Sequence, residues 1–274
     1  MKIALLGKGS FGSVLASYLS SRGHDVQIDE VDKSEIIFVC VPSYAVVSAL
    51  LKEKITNQKI IICSKGFASG EKLLSEALKE KFKNEIFFLY GPTLAEELEK
   101  GELSAMVLAG GDGKKELKKQ IESETLRIEL SDDIVGVQVG AALKNVATIF
   151  VGITEGAGYG ENTQAYIFTK GIQEIQKIGI ALGAEPNTFF GLTCLGDLTL
   201  HSRNRYLGVQ LGKGRNLDDI LSEMHYIPEG INALRNAKIM AKRLGVNIPF
   251  INLLYSIIFE NYSMQDAIKE IRKF

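Results

Sequence analysis

The sequence predicts an α/β protein in two parts: a parallel sheet covered by helices, then an all-α region. Three observations carry this. Short β-rich runs alternate with helix-like stretches up to about residue 130, and such alternation builds a parallel sheet with helices on its faces. The run at 36–41, IIFVCV, is continuously apolar, as a strand buried on both faces should be. Beyond residue 132 no strand alternation is found and helical spacing takes over.

In chain order, residues 3–6 read as a strand, 10–22 as a helix, 26–28 as a short strand and 36–41 as the next strand. A helix over 44–54, a strand over 59–63, a helix over 70–83 and a strand over 86–90 follow. A strand at 105–109, a helix at 114–121 and a strand at 126–130 complete the half. Helices are expected over 134–153, 164–182, 217–224, 230–244 and 264–273. The domains are therefore set at 1–130 and 131–274. The lysine-rich KKELKK at 114–119 reads as a solvated helix face.

Composition narrows the function classes. With 32 Lys+Arg against 33 Asp+Glu and a net charge of −1, bulk charge does not point to a nucleic-acid partner. The 46% hydrophobic and 24% charged fractions are those of a globular chain. The stretch 134–153 is apolar but carries Gln138, Lys144 and Asn145, which disfavours membrane insertion. The N-terminus lacks the apolar core and cleavage site of a signal peptide. Cys40, Cys63 and Cys194 are odd in number and widely spaced, the first two inside apolar runs; they read as core thiols in a reducing, cytoplasmic protein. His24, His201 and His225 are scattered, no C-x-x-C or H-E-x-x-H occurs, and no metal site is expected.

Gly7-Lys8-Gly9-Ser10-Phe11-Gly12 is G-x-G-x-x-G between a strand and a helix, the context in which the pattern binds a dinucleotide. Gly7 permits the tight turn, Gly9 lets a pyrophosphate approach the backbone, and Gly12 lets helix and strand pack closely. The helix N-terminus offers free N–H groups to the anion. This makes the sheet Rossmann-type. Asp29, near the offset of about 20 residues for the acid that bonds a ribose 2′-hydroxyl, favours NAD over NADP if it plays that role; a plain turn acid is the other reading. Only six residues, 30–35, then precede the next strand. They span at most ~20 Å, too little for a crossover helix, so one strand and its helix are missing and the adenine side is trimmed.

Other residues invite chemistry. Lys144 lies in the most apolar helix, VGVQVGAALKNVATIFVGI. Burial would lower its pKa toward that of a general base, whereas snorkelling from a helix edge would not. Lys65 and the Gly91-Pro92-Thr93-Leu94-Ala95 segment follow strands at their carboxyl ends, where α/β sheets bind ligands. Asp197 sits in an apolar loop and wants a partner, which Lys144 could supply, or else caps a helix. Ser202-Arg203-Asn204-Arg205 reads as a phosphate clamp.

The order of G-K-G-S-F-G, V-P-S, S-K-G, G-P-T-L-A-E-E, G-A-A-L-K-N, L-G-D-L, S-R-N-R and P-E-G resembles the bacterial NAD(P)-dependent glycerol-3-phosphate dehydrogenases, over residues 7 to about 230. Phe11 stands where the family commonly has Trp and Thr93 where it often has Ser; the shortened stretch after Asp29 is the larger departure. The resemblance implies hydride transfer between sn-glycerol 3-phosphate and dihydroxyacetone phosphate with NAD or NADP, for glycerophospholipid synthesis. It implies Lys144 as proton acceptor, with Lys65 and Asp197 beside it. It implies substrate contacts at Lys65, Gly91, Thr93, Asn145, Asp197, Ser202, Arg203 and Asn204. Cofactor contacts are implied at Gly7, Gly9, Ser10, Phe11, Gly12, Asp29, Pro42, Lys65, Ala95, Arg203, Ile227 and Glu229, with Ser43 lining the cleft. A homodimer is expected. The rivals are a ketopantoate-reductase-like or hydroxyacid dehydrogenase, and a non-catalytic dinucleotide sensor.

Overall fold

The computed structural model describes residues 1–69, 71–198, 203–224 and 228–272. Its N-terminal half holds strands β1 (Lys2–Leu6), β2 (Asp25–Ile28), β3 (Ile36–Val39), β4 (Lys59–Ile62), β5 (Ile86–Tyr90), β6 (Ser104–Gly110) and β7 (Leu126–Ser131). Helices α1 (Ser10–Ser21), α2 (Val46–Leu50), α3 (Leu74–Lys79), α4 (Ala95–Glu99) and α5 (Lys114–Ile121) lie between them. One seven-stranded sheet results, in the order β2-β1-β3-β4-β5-β6-β7.

The alternation predicted a parallel sheet, but the sheet is mixed. β5 and β6 pair antiparallel, with Phe88 opposite Ala109, and β7 runs parallel to β6. The connection from β5 to β6 contains only α4, five residues long, about 7.5 Å of helix. That is too short to carry the chain back along the sheet for a parallel return, so the chain turns and descends beside β5.

The trimmed crossover is present. β2 and β3 flank β1 on opposite sides, both parallel to it, and residues 29–35 join them without a helix. Asp29 and Lys33 there adopt left-handed backbone, φ +58° and +67°. Two helices are shorter than periodicity predicted. An antiparallel bridge between Phe67 and Leu73 delays α3 until Leu74. After a 3₁₀ turn at Ser43–Ala45, α2 frays at Lys52 and Glu53, whose N–H groups bond to carbonyls three residues back.

The C-terminal half contains α6 (Ile134–Gly156), α7 (Glu161–Ala181), α8 (Arg203–Gly212), α9 (Leu217–Met224), α10 (Glu229–Leu244), α11 (Pro249–Phe259) and α12 (Met264–Ile271). α6 is the axis. It is long and apolar enough to cross a bilayer, yet 89% of its most apolar window is buried inside the protein, and every residue from Gly136 to Thr154 is buried. Asp133 fixes its start, accepting from the Gly136 N–H (2.7 Å), the Glu185 N–H (2.9 Å) and the Thr188 hydroxyl (2.6 Å).

α8 crosses α6 with glycine against backbone. A Cβ on Gly208 would lie 2.2 Å from the Ile149 carbonyl oxygen, and one on Gly156 would lie 2.1 Å from that of Val209. No larger residue fits without parting the helices. α10 also begins against α6, where a Cβ on Gly230 would meet Ile149 Cδ1 at 2.7 Å and the Asn145 carbonyl oxygen at 3.0 Å.

Candidate active site

The glycine loop fits a dinucleotide phosphate. Gly7 has φ +109°, and a Cβ there would lie 2.8 Å from the Cys40 carbonyl carbon. A Cβ on Gly12 would lie 2.2 Å from the Gly7 carbonyl oxygen, whereas one on Gly9 meets nothing within 4 Å. Two glycines thus close the turn and the third faces open space, the division of labour expected of a phosphate cradle. α1 starts at Ser10 with no side-chain cap and no acid in its first turn, leaving its positive end to an anion. Phe11 packs at the edge of the core layer between α1 and the sheet.

Asp29 turns back onto this loop. It accepts from the Gly7 N–H at 3.1 Å and pairs with Lys8 Nζ at 3.1 Å. The sequence reading did not anticipate Lys8 as its partner; a lysine inside the loop and an acid at the end of β2 was the only signal. Asp29 stays exposed.

The carboxyl ends of β3, β4 and β5 converge on the face of α6. Lys65 follows β4 and donates to the Gly91 carbonyl at 2.9 Å. Asp197 follows a single π-helical turn, Leu192–Gly196, a geometry found often at functional sites. Its Oδ1 lies 2.8 Å from Lys144 Nζ and its Oδ2 lies 2.5 Å from Lys65 Nζ. One buried carboxylate therefore bridges two lysines. Asp197 ends the π turn as a partner to lysines, not as a helix N-cap.

Lys144 does not snorkel. Its side chain is 6% exposed, and burial lowers its pKa to about 8, with Lys65 assisting and Asp197 opposing. Burial pushes Asp197 upward, but the Lys65 and Lys144 ammoniums prevail and hold it below the ordinary carboxylate value. A lysine with a pKa near neutrality, in a cleft, beside a fixed carboxylate, is equipped to exchange a proton.

The remaining expected residues take these places. Thr93 follows Gly91 in the turn after β5, and its Oγ1 is buried without a hydrogen-bond partner, a polar atom that a ligand would satisfy. Ala95 opens α4. Asn145 is buried beside Lys144. Asn204 is buried, with its Oδ1 accepting from the Gly230 N–H at 3.1 Å, so the amide also pins α10 to α8. Arg203 opens α8 and is exposed. Arg205 pairs with Glu155, Nε to Oε2 at 2.8 Å. Glu229 opens α10 and reaches across the cleft, accepting from the Ser43 N–H at 3.3 Å and the Ser43 hydroxyl at 3.0 Å; burial raises its pKa against those two bonds. Pro42 precedes this contact. Ser202 and Ile227 lie outside the described residues.

Sequence reasoning missed two supports. Ser64 donates its hydroxyl to the Val41 carbonyl at 2.5 Å, and its own carbonyl accepts from the buried Tyr90 hydroxyl at 2.7 Å. The first bond ties the Lys65 turn to the Pro42 turn and the second ties it to β5. Ser64 stood in the S-K-G segment, but nothing local marked Tyr90.

A glycine loop after β1 with the shape of a phosphate cradle, in a chain whose helical half carries a buried lysine of lowered pKa, is the equipment of a dinucleotide-dependent oxidoreductase. Comparison with known proteins identifies the family. The family models for the N-terminus and C-terminus of NAD-dependent glycerol-3-phosphate dehydrogenase match residues 27–116 and 133–269. A glycerol-3-phosphate dehydrogenase [NAD(P)+] of Fusobacterium nucleatum is 33% identical, the alignment covering 99% of this chain and 96% of the relative. That of Thermoanaerobacter is 32% identical over 98% of this chain and 96% of its own. The crystal structure of glycerol-3-phosphate dehydrogenase from Coxiella burnetii superposes with a TM-score of 0.92 at 24% identity, covering 100% of this chain and 99% of that one. The chain belongs to the NAD-dependent glycerol-3-phosphate dehydrogenase family, whose curated members use NAD(P). The Fusobacterium alignment runs over 324 positions although this chain has 274 residues, so the relative carries internal stretches that this chain lacks.

Proposed function

We propose that this protein interconverts sn-glycerol 3-phosphate and dihydroxyacetone phosphate with NAD(P), Lys144 exchanging the proton of the C2 oxygen. The observation that carries the reading is the buried Lys144–Asp197–Lys65 cluster in a chain of this family. The bound nicotinamide supplies the hydride chemistry. In the oxidative direction, neutral Lys144 takes the C2 hydroxyl proton; in the reductive direction its ammonium returns that proton to the same oxygen. Asp197 holds the Lys144 ammonium in place, and Lys65 presents its charge toward the substrate oxygens. The Thr93 hydroxyl and the Asn145 amide orient the glycerol backbone. Arg203, the Asn204 amide and Ser202 bind the phosphate, whose remote binding energy aligns C2. Gly7, Gly9, Ser10, Phe11 and Gly12 seat the pyrophosphate, with Asp29 at the ribose; Pro42, Ala95, Ile227 and Glu229 complete the cofactor cleft.

Residues 1–130 act as the cofactor domain and 131–274 as the substrate domain. The protein works as a cytoplasmic homodimer that supplies glycerophospholipid synthesis. The deciding experiment follows NADH and, separately, NADPH oxidation with dihydroxyacetone phosphate, using dihydroxyacetone as control. Turnover that depends on the phosphate is expected. Cofactor binding without turnover on either would replace this reading with a sensor, and equal turnover without the phosphate would replace the substrate.

A further inference from the structure

Cys40 and Cys63 extend the β3–β4 ladder by one rung. Val39 pairs with Ile62 in parallel register, and the Cys63 N–H donates to the Val39 carbonyl at 2.9 Å. Alternation places both side chains on one face: Ile36, Phe38 and Cys40 of the β3 segment, and Ile61 and Cys63 of the β4 segment, pack in the layer beneath Leu15 and Leu19 of α1. Register-matched residues on adjacent strands are about 4.8 Å apart, inside the Cα separation of about 4.4–6.8 Å that a disulfide spans. Cys40 beside it, together with burial, raises the Cys63 pKa. Both are free thiols; Cys40 is partly exposed and Cys63 buried.

The pair sits between the two halves of the cofactor cleft. A Cβ on Gly12 would lie 3.2 Å from Cys40 Cβ, and one on Gly7 would lie 2.8 Å from the Cys40 carbonyl carbon. Cys63 is followed directly by Ser64 and Lys65, whose turn is bonded to Val41.

We propose that Cys40 and Cys63 are a modification site, a dithiol that a hydroperoxide converts into a disulfide that weakens dinucleotide binding. The more exposed Cys40 sulfur attacks the peroxide O–O bond, giving a sulfenic acid and releasing one water from hydrogen peroxide. The Cys63 sulfur then attacks the sulfenic sulfur, forming the S–S bond and releasing a second water. The peroxide gains two electrons and the two thiols lose them. The bridge requires the Cβ atoms to close to about 3.5–4.5 Å, less than the strand spacing. It therefore draws Cys40 toward β4 and away from Gly7 and Gly12, which carry the phosphate cradle. The effect on binding rests on the glycine-loop reading; formation of the disulfide does not.

The test treats the reduced full chain with hydrogen peroxide, maps disulfides by mass spectrometry of unreduced digests, and measures NADH binding by fluorescence. A Cys40–Cys63 cross-link is expected, with NADH bound about tenfold more weakly and full recovery in dithiothreitol. Cys194→Ser should behave as wild type. Cys63→Ser should form no cross-link and instead accumulate a dimedone-reactive Cys40. Absence of the cross-link in wild type, or a cross-linked protein that binds NADH as tightly as the reduced one, overturns the proposal. Failure of the reduced protein to bind NADH would instead refute the dinucleotide reading.

Discussion

At the scale of residues, the site is a problem of shared charge. Two ammoniums and one carboxylate lie within hydrogen-bond reach, and burial lowers the Lys144 pKa to about 8, with Asp197 opposing and Lys65 assisting. Oxidation of glycerol phosphate needs the neutral amine, so its kcat should rise as pH increases through about 8. Reduction needs the ammonium and should fall over the same interval. The neighbours act with opposite sign. Asp197→Asn removes the charge that stabilises the ammonium and should shift this inflection to lower pH; Lys65→Met removes a repulsion and should shift it higher. pH profiles of kcat for both variants check the assignment, and shifts in the same direction would contradict it. Lys144→Ala should lower kcat by about 10²–10⁴ while NADH binding, followed by fluorescence, stays within a few-fold.

At the scale of elements, two devices hold the helical half in the shape the site needs. The first is the glycine crossing of α6 and α8, which brings Asn204 to the start of α10. Gly208→Ala forces a methyl into the Ile149 carbonyl and should cost about 1–3 kcal/mol in urea denaturation. The second is Glu174 of α7, whose two carboxylate oxygens each accept at 2.9 Å from the Phe250 and Ile251 N–H groups at the start of α11. Burial raises its pKa to about 7 from an ordinary value of 4.5. For an acid raised by folding, the stabilisation linked to its proton is fully present below about 4.5 and is lost as pH rises through about 7. The stability difference between wild type and Glu174→Gln should therefore change across that window and level off above it. Periodicity predicted α6, α7 and α10 but not α8 or α11, to which the sequence reading assigns no helix. It overestimated α2 and α3, whose ends are set by fraying at Lys52 and Glu53 and by the local Phe67–Leu73 bridge.

At the scale of the whole molecule, the two halves share core residues: Val137 and Ala141 of α6 pack with the sheet, and Phe67 and Leu73 pack with the helices. The glycine loop and Lys65 come from the sheet half, and Lys144 and Asp197 from α6 and the end of the π turn. Ser43 and Glu229 already span the gap between them. NADH should thus stabilise both halves together. At about 100 times its Kd, the gain is about 2.7 kcal/mol, read as a single shifted transition in thermal unfolding; two transitions, only one of which moves, would show that the halves unfold separately.

The sequence by itself determined the α/β start, the helical remainder and the missing crossover, and it singled out the lysine that the structure buries. These are written in local patterns: a glycine spacing, a six-residue link, and a lysine set among apolar neighbours. Tertiary structure alone decided the antiparallel turn into β6, the bridge from Asp197 to two lysines and the pairing of Lys8 with Asp29. It also decided the Tyr90 support and the meeting of Cys40 with Cys63. Each depends on which segments become neighbours across the sheet or the cleft. A chain records its short-range periodicity openly, but pKa, register and thiol contact arise only when residues far apart in sequence are packed within a few ångströms.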